Sequence, residues 1–539
     1  RKGYNQPMCK KQRWVICALA CISILAFVLY ALPNAKASGN MALVTMFEPD
    51  ESAMIGVIKK MVSPQVDLVY TIYRFVAYSF YSYGFPLFAP SALLYKLLSW
   101  FGQGDNLSLV MLSLRQIISV LPMLASLWVL VYMQDQFKSW RSIALFIILL
   151  SVPAVLQNGY WWHPDGLVML LASLVLYFLW KDERGFGRNF DIAAVLCGVL
   201  VALKVVGLFF FLTIAVVLIW SLIEKRLTWK RFFGLSARFI LIMAVSIIIA
   251  SPHLLIPKHR DFAFRILKRE IFETSKGYGI IYAKGLLSAW PTMRKYYGEA
   301  CFLLITLGVS IWSLWDEKTR YLRVLILTWF IPLSAHLLFF SHFKYQYWLP
   351  VAIPMFSNLA FLFPQKKLNR ANVNPSVVLK LVLLAAVAVQ FGFFLNRDAK
   401  LFQDRYHRAE NNPAIQFYYK ALDELAPVSQ NLNVYYDYRL YVPQKEGWSL
   451  ESSFDLLTYD YINSGNFDVL FLSQQRIRDY LKPSATGIDP LAFAKSQEFY
   501  RAADAGSIAG YRLLLRDKTA LLFIRQDDCA KYYAPERCE

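Results

Sequence analysis

Three observations predict a polytopic, all-helical membrane domain followed by a small α/β domain: a high apolar content, basic clusters spaced between apolar runs, and a change of composition after residue 395. Of the 539 residues, 57% are hydrophobic and 17% charged, more apolar surface than a water-soluble domain hides in a core. The formal net charge is +20. Its Lys and Arg fall in short groups between apolar runs rather than along one polar face, the pattern of membrane orientation and anionic lipid. Nucleic acid is thereby excluded as a partner, and membrane lipids are expected.

The elements follow in order. Arg1, Lys2, Lys10, Lys11 and Arg13 precede an apolar run over 14–32. That run is longer than a signal-peptide core of about 7–15 residues, so it reads as a first span with a cytoplasmic N-terminus. Residues 34–106 hold no clean span and read as a large membrane-hugging outer loop. Met54, Ile55, Val57, Ile58, Met61 and Val62 recur at helical spacing, so 51–62 reads as an interfacial amphipathic helix, and 92–101 as a second. Tyr78, Tyr81, Tyr83 and Phe85 read as a headgroup-level aromatic belt.

Apolar runs then recur at 109–133, 143–157, 166–180, 192–220, 234–250, 298–315, 324–340, 348–363 and 377–395. The run 192–220 is too long for one span and carries Lys204 and Gly207 at its middle, so it reads as two short helices. With the first span this makes about eleven transmembrane helices of roughly 15–25 residues. Alternate threading then puts Lys138/Arg141, Lys181/Arg184/Arg188, Lys225/Arg226/Lys230/Arg231, Lys318/Arg320/Arg323 and Lys366/Lys367/Arg370 all on the cytoplasmic side. Outside remain 34–106, 158–165, the turn at Lys204, 251–297, 341–347 and the tail. The expected division is 1–395 for the membrane domain and 396–539 for an extracytoplasmic, periplasmic α/β domain, with strands at 434–436, 467–472, 511–515 and 520–524 and helices at 412–425 and 455–464. No Gly-rich phosphate loop follows a strand, so no nucleotide is assigned. None of the seven cysteines has metal-ligand spacing, and Cys529 and Cys538 of the polar tail can pair in an oxidising compartment.

The candidate chemistry gathers on the outer side. Phe47-Glu48-Pro49-Asp50-Glu51 places three carboxylates in four residues at the boundary. Adjacent carboxylates raise each other's pKa, so Asp50 or Glu51 suits a general base, and the pair also suits a divalent cation such as Mg²⁺ or Mn²⁺, which the sequence does not require. The plain alternative is a solvated helix start. Trp161-Trp162-His163-Pro164-Asp165 lies between two spans on the same face. Lys204 sits at a tight outer turn, where an ammonium can hold phosphate. The loop 251–297 carries His253, Lys258, His259, Arg260, Arg265, Lys268 and Arg269, and His342-Phe343-Lys344-Tyr345-Gln346-Tyr347 precedes a late span. Among in-span charges, Arg238, Glu299 and Lys380 lie near helix ends, where long chains reach water, while Arg115 is expected to line a cavity. Acids and cations on one side of a membrane fit an anionic lipid-linked substrate held by Lys and Arg while a carboxylate activates an acceptor.

This arrangement resembles the GT-C class of integral membrane glycosyltransferases, especially bacterial relatives of the protein O-mannosyltransferases and aminoarabinose transferases. The resemblance covers nearly the whole chain. It rests on the Asp50-Glu51 pair after the first span, on Asn158-x(4)-His163-Pro164-Asp165-Gly166, and on the run from Gly198 through Lys204 to Gly207. Ser251-Pro252-His253 and the segment from Lys344 to Pro350 complete it. It implies a polyprenyl-phosphate-sugar donor, inversion at the anomeric carbon, Asp50 as the base and Asp165 as a second acid placing acceptor or metal. Gln346 stands where many relatives carry an arginine, so Lys344, Lys204, Arg265 or Lys268 would carry the donor phosphate. His163, His253, Arg115, Tyr345 and Tyr347 complete the expected substrate-binding set. The acceptor, whether glycan, lipid or protein, is left open, and a monomer in the bacterial inner membrane is expected. Two other readings stand: a transporter or flippase of a lipid-linked or anionic substrate, and an O-antigen-ligase-like enzyme leaning on His253 and His259.

Overall fold

The computed structural model describes residues 10–276, 283–364, 375–410, 412–428, 431–483 and 489–538. Arg1, Lys2, Cys9, the cluster Lys366/Lys367/Arg370 and the side chain of Cys538 lie outside the described residues.

Helix α1 (Lys10–Lys36) leads into α2 (Met41–Phe47) and α3 (Pro49–Val62). Pro49 opens α3, where its missing N–H costs nothing and its fixed φ suits the first turn. The apolar face expected to lie on lipid is instead packed inside the protein: Met54, Ile55, Ile58 and Met61 are buried where α3 meets α5 (Phe85–Trp100). The exposed apolar side chains lie instead on α4 (Leu68–Val76), which the sequence reading missed. It exposes Leu68, Val69 and Ile72, as a helix lying in a headgroup layer does.

A continuous helix then runs through α6 (Leu107–Leu114), a π-helical turn (Arg115–Val120) and α7 (Leu121–Asp135). The expected span 143–157 is broken into α8 (Trp140–Leu150) and α9 (Pro153–Asn158), because Pro153 begins a new helix rather than continuing one. Next come α10 (Asp165–Asp182) and α11 (Arg188–Leu203), and a short 3₁₀ turn (Val205–Phe209) leads to α12 (Phe210–Ile223). The break at Lys204 is where the sequence placed it. Then follow α13 (Trp229–Ile249), α14 (Pro257–Lys276), α15 (Leu286–Tyr297), α16 (Ala300–Trp312), α17 (Arg320–Ala335), α18 (Tyr345–Ser357) and α19 (Pro375–Tyr406).

Among the described residues six helices are long and apolar enough to cross a membrane, and the pair α15 and α16, bent by 84°, makes a seventh if counted as one span. About eleven were expected. The shortfall lies in the broken run at Pro153, in α11 and α18, which have 16 and 13 residues, and in α10, which carries Asp165, Lys181 and Asp182 at its ends. Helix α19 runs through the expected boundary at 395 and ends at Tyr406.

Beyond it, α20 (Pro413–Glu424) covers a five-stranded sheet of order β2-β1-β3-β5-β4. Strand β1 (Leu432–Tyr436) pairs parallel with β2 (Trp448–Glu451) and, across α21 (Tyr459–Gly465), with β3 (Val469–Ser473). After α22 (Gln474–Tyr480) and α23 (Pro490–Ala505), β4 (Tyr511–Arg516) and β5 (Ala520–Arg525) close the sheet antiparallel, and α24 (Gln526–Tyr532) follows. Cys529, buried on α24, is disulfide-bonded. The sequence missed β2, α22, α23 and α24. The sheet is tied to the membrane domain: Ala42 and Met46 of α2 share a core with Phe417, Val434 and Leu522, and Asn40 Nδ2 donates to the Tyr441 hydroxyl at 3.2 Å.

Candidate active site

The adjacent acids Asp50 and Glu51 open α3, but one turn of helix sends them to different surroundings. Glu51 is fully buried. It accepts from Arg115 Nε at 3.0 Å and Nη2 at 2.5 Å, and from the Trp162 backbone N–H at 2.5 Å. Arg115, also fully buried, donates its remaining nitrogen Nη1 to Asn34 O at 2.8 Å. Arg115 was expected to line a substrate cavity and Glu51 to compete for the role of base. The structure pairs the two with each other, and through Asn34 and Trp162 they tie the first loop to the 158–165 loop. The π turn turns Arg115 toward Glu51, and its Ser119 Oγ accepts from the His163 N–H at 3.2 Å, a use of such bulges common at functional sites.

Asp50 is half-buried and starts a line of polar contacts. The Tyr83 hydroxyl donates to Asp50 Oδ2 at 3.0 Å and lies 2.8 Å from His163 Nε2. His163 Nδ1 is 2.5 Å from Asp165 Oδ2, and Lys204 Nζ donates to Asp165 Oδ1 at 2.7 Å. Trp161 stacks on the His163 ring, 3.9 Å between centroids and 4° from parallel. Asp165 begins α10, where the helix dipole favours a carboxylate. The Lys204 ammonium lies 4.1 Å and the Lys344 ammonium 5.6 Å from the centre of the Tyr347 ring, so two cations approach one aromatic ring. Burial holds Lys344 below the ordinary lysine range, and the field of Asp50 opposes that.

The line depends on a close backbone approach. Gly84 N–H donates to Leu203 O at 3.2 Å, and a Cβ at Gly84 would sit 1.9 Å from the Ala202 carbonyl oxygen. Only glycine lets the loop bearing Tyr83 sit against the end of α11.

The other expected residues are placed differently. His253 is buried, stacks on Tyr81 at 4.5 Å and meets Tyr78 edge-on. Burial, with His259 adding to it, pushes its imidazole down to about 4, so it is neutral at physiological pH and cannot serve as an anion's counter-charge. Its ring packs against Tyr78 and Tyr81, apart from the line of contacts that starts at Asp50. Both nitrogens of His259 are held by the Tyr73 and Tyr81 hydroxyls at 2.8 and 2.7 Å. Arg265 and Lys268 are exposed on α14, and neither joins the line of contacts from Asp50. Tyr345 stacks on Tyr296 at 4.4 Å, and its carbonyl accepts from the Tyr297 hydroxyl. Among the described residues no three His, Cys, Asp or Glu side chains gather as a metal site, so the divalent ion left open by the sequence has no ready-made cage here. Tyr83 was read as belt aromatic; the signal that could have found it is the adjoining Gly84.

Neither a protein-family model nor a curated protein sequence matches the chain; its likeness is one of structure. The helical membrane domain, the acid-bearing first loop and the terminal sheet domain together have the GT-C fold of integral membrane glycosyltransferases. The particular structures are those of ArnT, an aminoarabinose transferase, from Cupriavidus metallidurans. With the form bound to undecaprenyl phosphate the TM-score is 0.54 at 13% identity, covering 96% of this chain and 99% of that one. With the apo form it is 0.54 at 14%, covering 97% and 99%. The oligosaccharyltransferase AglB from Archaeoglobus fulgidus, in complex with an inhibitory peptide and a dolichol-phosphate, is matched more loosely, with a TM-score of 0.48 at 12% identity over 93% of this chain and 79% of that one.

Proposed function

We propose that this protein is an inverting glycosyltransferase that moves a sugar from a polyprenyl-phosphate donor to an acceptor on the extracytoplasmic face of the bacterial inner membrane, with Asp50 as general base. The observation that carries the reading is the division of labour in the acid pair: Glu51 is locked to Arg115, while Asp50 stays half-exposed, oriented by a single Tyr83 hydroxyl.

In the reaction an acceptor O–H or N–H gives its proton to Asp50 as the heteroatom bonds to the anomeric carbon. The bond from that carbon to the phosphate oxygen breaks on the opposite side, and the electron pair leaves with the phosphate. Lys204 and Lys344, two ammonium groups around Tyr347, stabilise the developing charge, so no acid is needed on the leaving side. Asp165 holds Lys204 and His163 in place rather than reacting. The N-terminus is cytoplasmic, the terminal sheet domain extracytoplasmic, and one chain suffices for the site.

The test supplies membranes with a panel of radiolabelled polyprenyl-phosphate sugars and compares wild type with Asp50→Asn at matched expression. Transfer from one donor, lost in Asp50→Asn, supports the reading; no consumption of any donor, or equal transfer by the variant, overturns it.

A further inference from the structure

The transfer step leaves His163 without a task, yet its surroundings are those of a proton carrier. Its Nε2 lies 2.8 Å from the Tyr83 hydroxyl, and its Nδ1 lies 2.5 Å from Asp165 Oδ2. The ring is buried and stacks on Trp161. A carboxylate at one edge and an indole across the face give a cationic ring partners out of water.

Protons can be counted along this line. Against the effect of burial, Lys204 and then His163 hold Asp165 down to about 2. Asp165 therefore stays ionised, and the proton of its contact with His163 stays on Nδ1. Between Nε2 and Asp50 there are two contacts, at 2.8 and 3.0 Å, and one proton to fill them, that of the Tyr83 hydroxyl. With Asp50 ionised and His163 neutral, the line is one proton short. Burial, and after it the field of Asp50, keep the Tyr83 hydroxyl well above the usual tyrosine range. Tyr83 thus passes a proton only by giving one as it receives another.

We propose that Tyr83 and His163 form a proton relay behind Asp50, and that the proton taken from the acceptor comes to rest on His163. The acceptor's proton bonds to Asp50 and moves on to the Tyr83 oxygen while the Tyr83 proton moves to His163 Nε2. Nδ1 keeps its own proton toward Asp165. His163 is then an imidazolium, Asp50 a carboxylate again, and Tyr83 a neutral phenol as before. Once product has left, the same shifts run backward and Asp50, which is half-buried, gives the proton to water. An imidazole is a stronger base than a carboxylate, so the relay draws harder on the acceptor's proton than Asp50 does alone. The charged groups around His163 come from four elements. Asp165 opens α10 with Lys204 from the end of α11 against it, and Asp50 of α3 lies beyond Tyr83. The Glu51–Arg115 pair of α3 and the π turn holds the Trp162 N–H, and Lys344 approaches the Tyr347 ring beside Lys204.

The relay rests on Asp50 being the base, and the experiment separates the two. In native membranes supplied with the radiolabelled polyprenyl-phosphate sugars, kcat, donor KM and their pH dependence are measured per folded molecule for wild type, Asp50→Asn, Tyr83→Phe and His163→Gln. Tyr83→Phe and His163→Gln are each expected to lower kcat about 10²-fold, the low end for general acid–base catalysis, with donor KM unchanged. Wild-type transfer falls on the acid side as His163 takes up its second proton, whereas both variants need only an ionised Asp50. An ordinary carboxyl titrates about two pH units below an ordinary imidazole, so the acid limb of kcat should move down by at least about one unit in both. A His163 that only holds Asp165 and Lys204 in place would raise donor KM and leave the acid limb where it was, and that result overturns the relay. An inactive Asp50→Asn beside fully active Tyr83→Phe and His163→Gln removes the relay and keeps the base. An active Asp50→Asn, or no consumption of any donor, removes both.

Discussion

Exchanging each acid of the pair for its amide separates structure from chemistry. Glu51→Gln keeps the side chain's shape but strips the counter-charge from Arg115, which is 0% exposed. It also turns one of the two oxygens that accept from Arg115 and Trp162 into a donor facing donors. The remaining side-chain oxygen and Asn34 O would then be the neutral acceptors left to the guanidinium. Breaking a buried pair by removing one partner costs about 3–5 kcal/mol, a large share of the total stability of a domain. Asp50→Asn removes far less: one hydrogen bond from Tyr83 to a half-buried group, about 1 kcal/mol. If Asp50 is the base, however, its loss slows transfer by roughly 10²–10⁴-fold. The assay measures thermal unfolding of each variant in nanodiscs alongside transfer per folded molecule. Glu51→Gln should melt much earlier while its folded fraction still transfers; Asp50→Asn should melt near wild type and be inactive. An active Asp50→Asn, or a Glu51→Gln that melts like wild type yet is inactive, refutes the assignment.

Three further outcomes follow from the same geometry. Because burial holds Lys344 below the usual lysine range, its cationic form is lost at a lower pH than an ordinary lysine's. Donor KM should therefore rise on the alkaline side before pH 10.5, and Lys344→Arg should move that rise upward; identical profiles count against a phosphate role. His253, with a folded value of about 4 against 6.5 unfolded, takes up fewer protons folded than unfolded between those values. Its contribution to stability is complete above pH 6.5 and declines as the pH falls toward 4, so His253→Phe should flatten the fall of the melting point between pH 7 and 4.5. Gly84→Ala should destabilise by about 1–3 kcal/mol and lower transfer, because its Cβ meets the backbone oxygen of Ala202 and pushes the Tyr83 loop away; full activity with unchanged melting would show the loop tolerates displacement.

Much of the site was legible because its residues are unusual for their setting. Charged groups in an apolar chain are conspicuous, and Asp50, Asp165, His163, Lys204 and Lys344 were all singled out before any contact was known. What misled was reading each charge alone. Arg115 looked like a cavity residue because a guanidinium in a span needs an explanation, and the explanation, Glu51, lies 64 positions away. His253 looked like a ligand-binding group, whereas Tyr78 and Tyr81, far off in sequence, enclose it. Helix α3 was placed on lipid because an amphipathic pattern states that one face is buried without stating against what.

The amino-acid sequence by itself determined the class of solvent, four of the five strands of the tail and the break at Lys204. Each follows from composition or local periodicity. Only the tertiary structure decided which acid pairs with Arg115 and which stays half-exposed beside the Tyr83 hydroxyl. Those outcomes depend on which distant side chains fill a buried group's hydrogen-bonding capacity, and burial makes every unfilled or unpaired group expensive. Asp50 and Glu51 are neighbours with the same chemistry; Arg115 pairs with one and leaves the other half-exposed.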